Sequence, residues 1–572
     1  MSGICGIVRL DGQPVKKAEI EKMLDAMRHR GSDAEGVFED GFVAFGHKAL
    51  WSTPESVLEK QPILNSKKNL LLVADARIDN REALIKTLRI STMHTITDAE
   101  IIVQSYLKWG QKLLDHLIGD FAFVIYDRAE ERLFFARDHI GIRPLYYVKT
   151  DEVFCFCSEI MPLFTVDGVG KVIDQEMQQR YFDCRVLGLD ETFFKEVKRL
   201  MPATYGTLKA STLHLERYWF PEKIKIDRSI SFKEAAERFR DIFEESVQCR
   251  MRTRSPIGCE LSGGLDSSSV FSMAVTLKKT SPLIPISMRF GKMACDESSF
   301  IDSMLRHTGY EGETIRVDRL DFKEKYALRT YYQRFRDWPR GTFFIAALPT
   351  AERLQALGVR VLLTGQGGDH VTRGSGYVMT DYFKQFRWLK IAKELSKWDN
   401  PLHTVKSMIL RPYIPDALLR FLKKSTRSKP CKHDTIHAKW NRSFAFCDDV
   451  HMMTGAVNSF GLDSTASHDM ECYNIETRHP FYDKRLIAFS LSLPPEYRIG
   501  NGYTKQILRT ALAAYLPEKV RMRKDKAEFS EVLEQQLLKH TGSSEFMVQY
   551  SNKIFLTQSY TTWKRIHDEK TQ

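Results

Sequence analysis

No apolar run in this sequence approaches the roughly 18 residues that a membrane-crossing helix needs. Runs such as Val361–Leu363 suit buried strands instead. The first residues, Met1-Ser2-Gly3-Ile4-Cys5, lack the basic region and long apolar core of a secretory signal, so a cytoplasmic location is expected. The ten cysteines, at 5, 155, 157, 184, 249, 259, 295, 431, 447 and 472, form no Cys-x-x-Cys pair, and no Cys/His cluster has zinc spacing. Reduced, mostly buried thiols are expected rather than disulfides or metal ligands. There is no internal repeat. The net charge of +12 is spread widely and no nucleic-acid motif accompanies it, which argues against a nucleic-acid partner. Anionic substrates account for part of that charge.

What is present is an ordinary globular mixture, 43% hydrophobic and 28% charged, in a chain of 572 residues that exceeds one hydrophobic core. The first two hundred residues read as short strands. Phe121–Tyr126 and Arg132–Ala136, separated by a charged turn, give a hairpin signal; Ala18–Met27 and Ala99–Trp109 read as helices. A Lys-rich stretch from Pro221 to Arg228 reads as a linker. The pattern then changes. Ser231 with Glu234 forms a capping box, and Phe232, Ala235, Ala236, Phe239, Ile242, Phe243 and Val247 recur at helical spacing. Strand-like Ile257–Leu261, Ile284–Phe290 and Val359–Thr364 alternate with helical segments, implying a mostly parallel sheet. From Arg411 to Arg442 the chain is basic and interrupted by prolines, a solvated insertion on the plainest reading.

Two glycine-rich loops carry the strongest chemical signal. Ser262-Gly-Gly-Leu-Asp-Ser-Ser268 follows an apolar strand and precedes a helical run. Its glycines let backbone N–H groups approach phosphate, the helix N-terminus and hydroxyls add donors, and Asp266 can hold Mg²⁺. Thr364-Gly-Gln-Gly-Gly-Asp369 repeats the arrangement after a second strand. Two strand ends bearing carboxylates fit a ligand crevice at the carboxyl edge of a parallel sheet. A third element, Glu476-Thr-Arg-His-Pro-Phe-Tyr-Asp483, precedes Lys505-Gln-Ile-Leu-Arg509, with 29 positions between Glu476 and Lys505.

The first loop resembles the pyrophosphate loop of ATP pyrophosphatases and lacks the Gly-Lys-Ser/Thr of a Walker loop. With the other two elements, in the same order, the region from residue 232 onward resembles asparagine synthetases, which have a Ser-Gly-Glu-Gly-Ser-Asp-like string at the second loop. The resemblance implies a doubly wound parallel-sheet domain over residues 232–572 that uses ATP and Mg²⁺. It places Mg²⁺ on Asp266 and Asp369. The nucleotide would lie among Leu261, Ser262, Gly263, Gly264, Asp266, Ser267, Ser268, Met288, Thr364 and Gly365. It makes Lys505 the residue that stabilises transition-state charge, with Glu476 and Gln366 completing the catalytic set. His370 is read as structural, with a base role as the alternative.

Residues 1–220 also resemble that family, joined by a linker over 221–231. Arg28-His-Arg-Gly-Ser-Asp33, Arg137-Asp-His-Ile-Gly-Ile-Arg-Pro-Leu-Tyr146 and Ser158-Glu-Ile160 match its strings. The fold implied is an N-terminal-nucleophile αββα sandwich, which in the family hydrolyses glutamine. Its chemistry is altered here. Where the family has Met-Cys-Gly-Ile, this chain has Met1-Ser2-Gly3-Ile4, with Cys5 displaced inward. The family's His-Glu-Arg-Leu reads His47-Lys-Ala-Leu50, and its Asn-Gly-Glu reads Asp75-Ala-Arg77; Asp98 survives. A degenerate glutaminase domain is expected.

Without internal ammonia the amine must come from elsewhere. β-Lactam synthetases and lasso-peptide macrolactam synthetases are relatives with that arrangement. The former have a Tyr at the position of Gln366, so the resemblance is closer to the latter. The expected partners are a precursor peptide, whose side-chain carboxylate is adenylated and attacked by its own α-amine, and with it a leader-binding protein and a leader protease. An ammonia-using asparagine synthetase, a β-lactam-synthetase-like enzyme and a non-catalytic scaffold are the alternatives.

Overall fold

A computed structural model of the chain describes residues 1–65, 69–91, 93–182, 190–278, 281–320, 344–398, 401–405, 409, 443–459, 468–525 and 527. The basic segment Arg411–Arg442 lies outside the described residues. No helix among the described residues is long and apolar enough to cross a membrane. None of the described cysteines forms a disulfide.

The N-terminal strands are β1 (Gly3–Arg9), β2 (Ala34–Asp40), β3 (Val43–Ala49), β4 (Ile63–Asn65), β5 (Leu70–Ile78), β6 (Gly119–Asp127), β7 (Arg132–Arg137), β8 (Tyr146–Lys149), β9 (Val153–Cys157), β10 (Lys198–Arg199), β11 (Thr204–Lys209) and β12 (Thr212–Arg217). They form two six-stranded sheets in the orders β10-β8-β9-β1-β3-β2 and β12-β11-β7-β6-β5-β4. The paired neighbours run antiparallel, including the expected β6–β7 hairpin.

Side-chain alternation explains the layering. Leu71 and Val73 of β5 face Ile4, Val8 and Phe45 of the other sheet, whereas Leu70, Leu72 and Ala74 face the helix Asp98–Trp109. In β1, Cys5 and Ile7 point the other way, against Ile20, Met23 and Leu24 of the helix Lys17–Ala26. Sheets buried on both faces need near-continuous apolar strands, as β6 shows with Phe121–Tyr126 buried throughout. The result is the αββα sandwich.

The linker is less solvated than its lysines suggest. Trp219, Ile224 and Ile226 pack on the core of the C-terminal half. The helix Phe232–Arg250 begins where the Ser231 hydroxyl accepts the Glu234 N–H at 3.2 Å, and it buries Ala235, Ala236, Phe239, Phe243 and Val247, the periodic positions. Strands β13 (Ile257–Glu260), β14 (Leu283–Arg289), β15 (Glu313–Arg316), β16 (Val361–Leu363) and β17 (Glu476–Arg478) form a parallel sheet in the order β15-β14-β13-β16-β17. Chain order reverses between β13 and β16. Such a reversal is where a ligand crevice forms at the carboxyl edge, and the loops leaving both strands lie there.

Candidate active site

The two glycine-rich loops leave β13 and β16 at this crevice. The first passes into the helix Leu265–Leu277, which is apolar on most sides and buried along most of its length, so its N-terminus is fixed in place. Ser262 Oγ and Ser267 Oγ lie 2.9 Å apart, and Gly264 N–H donates to Ser262 Oγ at 3.3 Å. Gly263 adopts φ +77° with Phe300 pressed against its Cα, so a side chain is excluded on both counts. Arg523 braces the loop from behind, donating to Gly263 O at 3.4 Å and lying 4.0 Å over the Phe300 ring.

The second loop approaches the first so closely that a Cβ on Gly368 would overlap the Asp266 carboxyl, and one on Gly365 would overlap the Ser267 backbone. Glycine is required for two backbones to meet at this distance. Gln366 N–H donates to Thr364 Oγ1 at 3.2 Å, and that hydroxyl lies 2.7 Å from His479 Nδ1. Burial, reinforced by nearby arginines, holds His479 down at about 3, hence neutral. His370 Nδ1 lies 2.8 Å from the Tyr482 hydroxyl, with the rings stacked.

Three of the expected residues come together at one point. Lys505 Nζ lies 2.6 Å from Asp266 Oδ2 and 2.8 Å from Asp369 Oδ1. Asp266 and Asp369 each sit in the first turn of a helix, and Lys505 immediately precedes the helix Gln506–Ala511. Burial disfavours the Lys505 charge, but the two carboxylates outweigh it and raise the ammonium above the ordinary lysine value. Its backbone is left-handed, φ +57°, a strained conformation for a non-glycine residue, directly after the short hairpin of Ile499–Gly500 with Tyr503–Thr504. Leu261 is buried against the helices, and Met288 is half-buried on β14 beside it.

Glu476 is not brought to this point. In β17 it pairs with Val361 at the amino end, while Arg478 pairs with Leu363 at the carboxyl end. Its carboxylate is instead gripped by Arg143, by Arg77 at 3.4 Å and by Arg478 at 2.9 Å. Burial opposes the charge, but the three guanidiniums prevail and hold it well below the carboxylate range. No local pattern announces these partners, because Arg77 and Arg143 belong to the other half of the chain.

Arg143 and Glu476 form one wall of a narrow cavity lined also by Ser2, His47, Ala49, Asp75 and Asp98 of the N-terminal half. Ser2 Oγ accepts the Leu50 N–H at 3.0 Å. Asp98, the surviving acid, is taken up by Arg81, by Arg252 at 2.9 Å and by the Ile78 N–H at 3.1 Å. Asp75 lies between Arg30 at 3.8 Å and Arg143 at 3.6 Å. Cys5 is no substitute nucleophile: it is fully buried on the helix-facing side of β1, and burial pushes its thiol far up. Asp79, Cys249 and Asp483 also cluster, but Arg77, Arg250 and Arg485 occupy their carboxylates, an ion-pair network rather than a metal site.

Comparison with known proteins agrees with both halves. Residues 1–219 match the family described as glutamine amidotransferase domain, and residues 238–552 match asparagine synthase. The chain is 26% identical over 555 residues to asparagine synthetase (glutamine-hydrolyzing) 3 of Bacillus subtilis, covering 92% of this chain and 86% of that protein. It is 25% identical over 569 residues to the amidase chyE of Penicillium rubens, with 88% and 83% covered. Against asparagine synthetase B (glutamine-hydrolyzing) of Escherichia coli it is 24% identical over 558 residues, with 93% and 82% covered.

Proposed function

This chain belongs to the asparagine synthase family and is an ATP-dependent, AMP-forming carbon–nitrogen ligase; within that class we propose that it closes a macrolactam in a precursor peptide. A side-chain Asp or Glu carboxylate of the peptide attacks the α-phosphorus of ATP and releases pyrophosphate. The peptide's α-amine then attacks the acyl-adenylate, forming the amide and releasing AMP. The observation that carries this reading is a contrast. Lys505, Asp266 and Asp369 converge within 2.8 Å, whereas the glutaminase cavity has Ser2, Ala49 and Asp75 at its functional positions and Asp98 committed to arginines.

Two carboxylates already sharing one cationic group fit a divalent cation, with Gly368 supplying the clearance. Asp266 and Asp369 would hold Mg²⁺, which offsets phosphate charge when bound. Ser262, Gly263, Gly264, Ser267 and Ser268 would hold the phosphates of ATP, with the helix N-terminus adding donors, and Leu261, Met288, Thr364 and Gly365 would receive the base and ribose. Lys505 stays protonated and meets charge developing on the transferred phosphoryl and acyl groups. An amine tethered to the same peptide gains an effective molarity of up to roughly 10⁵ M when well oriented, which free ammonia cannot match. A leader-binding protein and a leader protease supply the peptide with that amine exposed.

The test offers the enzyme ATP and Mg²⁺ with two kinds of acceptor, free aspartate plus ammonia or glutamine, and linear peptides bearing a free α-amine and one Asp or Glu. Peptide-dependent ATP–pyrophosphate exchange, and a product one water lighter by mass spectrometry, are expected. Glutamine should release no glutamate. Asparagine formation at a competitive rate would overturn the reading in favour of the ammonia-using synthetase.

A further inference from the structure

Amide formation needs a proton acceptor, because the attacking nitrogen must shed a proton as the carbon–nitrogen bond forms. Several polar groups around the crevice already hold partners. Gln366 is an amide and cannot accept a proton. His479 is buried against Thr364, 2.7 Å away. His370 is turned onto the Tyr482 hydroxyl, and Glu476 is held by three arginines. Asp266 and Asp369 are committed to Lys505.

Among the described residues, Glu260 is a further carboxyl at this edge of the sheet, and it lies between the two loops. Glu260 is the last residue of β13, paired with Ile286 and immediately preceding the first glycine-rich loop. Ile257, Cys259 and Leu261 of that strand face the core packed under the helix Phe232–Arg250. Gly258, two residues before Glu260 and on the same face, looks the other way, toward Leu354, Val359 and Leu362. Glu260 therefore lies on the face of the sheet that Gly258 presents to Leu354, Val359 and Leu362, and its carboxyl is near enough to the Gly365 N–H for that group to favour its charged form. Gly365 in turn lies against the Asp266–Ser267 backbone. The carboxyl thus occupies the point where the chain order reverses, and it is half-buried rather than sealed.

We propose that Glu260 is the general base of the amine half-reaction, taking its proton from the attacking nitrogen. The proposal rests on the peptide-cyclising reading above. The neutral α-amine forms the bond to the acyl carbon, and the carbon–oxygen bond to AMP breaks with its electron pair leaving on the phosphate. The surplus proton on nitrogen passes to the Glu260 carboxylate and thence to solvent when the product leaves. Burial raises the Glu260 carboxyl to about 7, with the Gly365 N–H opposing that rise. An acceptor matched to neutral pH transfers protons most effectively. The adenylation step needs no such group, since a carboxylate is already a nucleophile.

The two half-reactions separate the roles. Glu260→Gln keeps the shape and an oxygen for the Gly365 N–H, so peptide-dependent ATP–pyrophosphate exchange should stay within about threefold of the unaltered enzyme. Macrolactam formation should fall at least about 100-fold. Hydroxylamine, a strong nucleophile that is neutral at pH 7, should restore acyl transfer in the variant by capturing the adenylate as a hydroxamate. Glu260→Asp, with a shorter reach, should fall between the two. Parallel loss of exchange and amide formation would overturn the proposal, as would unchanged amide formation. A lack of peptide-dependent exchange in the unaltered enzyme would strike instead at the cyclising reading, and the proposal would fall with it.

Discussion

Replacing Lys505 by methionine removes a charge while keeping most of the length and apolar body of the side chain. With contacts of 2.6 and 2.8 Å and an effective dielectric of ~20, each ion pair represents about 6 kcal/mol of gross Coulomb attraction. Much of that is consumed by taking the ammonium out of water, since only 12% of the side chain is exposed. What turnover registers is the part that grows as charge develops, about 2.7–4 kcal/mol for one such contact, or roughly 10²–10³ in rate. ATP–pyrophosphate exchange should fall by that factor in Lys505→Met, while nucleotide affinity by calorimetry changes by less than about threefold. Backbone strain does not confound the comparison, because methionine at φ +57° is as strained as lysine. Lys505→Arg should recover part of the loss by retaining the charge. Unchanged turnover with weakened ATP affinity would refute the transition-state role and leave Lys505 as a ground-state contact.

Asp266→Asn and Asp369→Asn should each abolish AMP formation in the presence of saturating Mg²⁺, because neither amide can replace a carboxylate on the metal; a variant keeping more than about a tenth of the rate would contradict this. Glu476→Gln should act on stability rather than on the chemistry, lowering it by about 3–5 kcal/mol as read from urea unfolding, because three buried guanidiniums lose their counter-charge. The sign with pH is set by a folded-state value depressed below the unfolded one. Its contribution is full above the unfolded value near 4.3 and is lost as pH falls through the lower folded value. The gap between the two proteins should hold at neutral pH and close in acid, and a gap independent of pH would show that the lost charge is not its cause.

What could be read from the sequence was what local spacing encodes. The helix Phe232–Arg250 buries the residues whose 3.6-residue period announced it, and β6 and β7 pair as their aromatic runs predicted. The site motifs were legible because each is a strand end, a glycine turn and a helix start within a few residues. The order of the parallel strands was not legible, yet it is the order that sets Asp266 beside Asp369, 103 positions later, and both beside Lys505. Glu476 shows the converse. Its motif placed it with the catalytic residues, but its charge is spoken for by Arg77 and Arg143, which no spacing rule connects to it. Glu260 carried no motif at all. Its proton affinity comes from burial, and burial at a strand end depends on which loops cross above it.

The same arginines bear on how firmly the N-terminal half is attached to the rest of the chain. Arg77 lies on β5 and Glu476 on β17, and Arg252 of the C-terminal half reaches Asp98, while Arg360 meets Asp33 at 2.6 Å. Breaking these contacts by losing the N-terminal domain would expose Glu476 and Arg478, which are almost wholly buried, and leave each short of partners. Charges buried in pairs are rarely stabilising against an apolar alternative, but they are strongly destabilising when one partner is removed. A domain held in such an arrangement cannot be removed without that cost. A domain held so firmly against β17 also poses a testable question, whether its attachment limits the access of water that competes with the amine for the acyl-adenylate. Substitutions that loosen this ionic seam without touching Lys505, Asp266 or Asp369 should therefore raise AMP release relative to amide formed, and product-ratio measurements on Arg143→Met would show it. An unchanged ratio would confine the N-terminal half to a purely structural part.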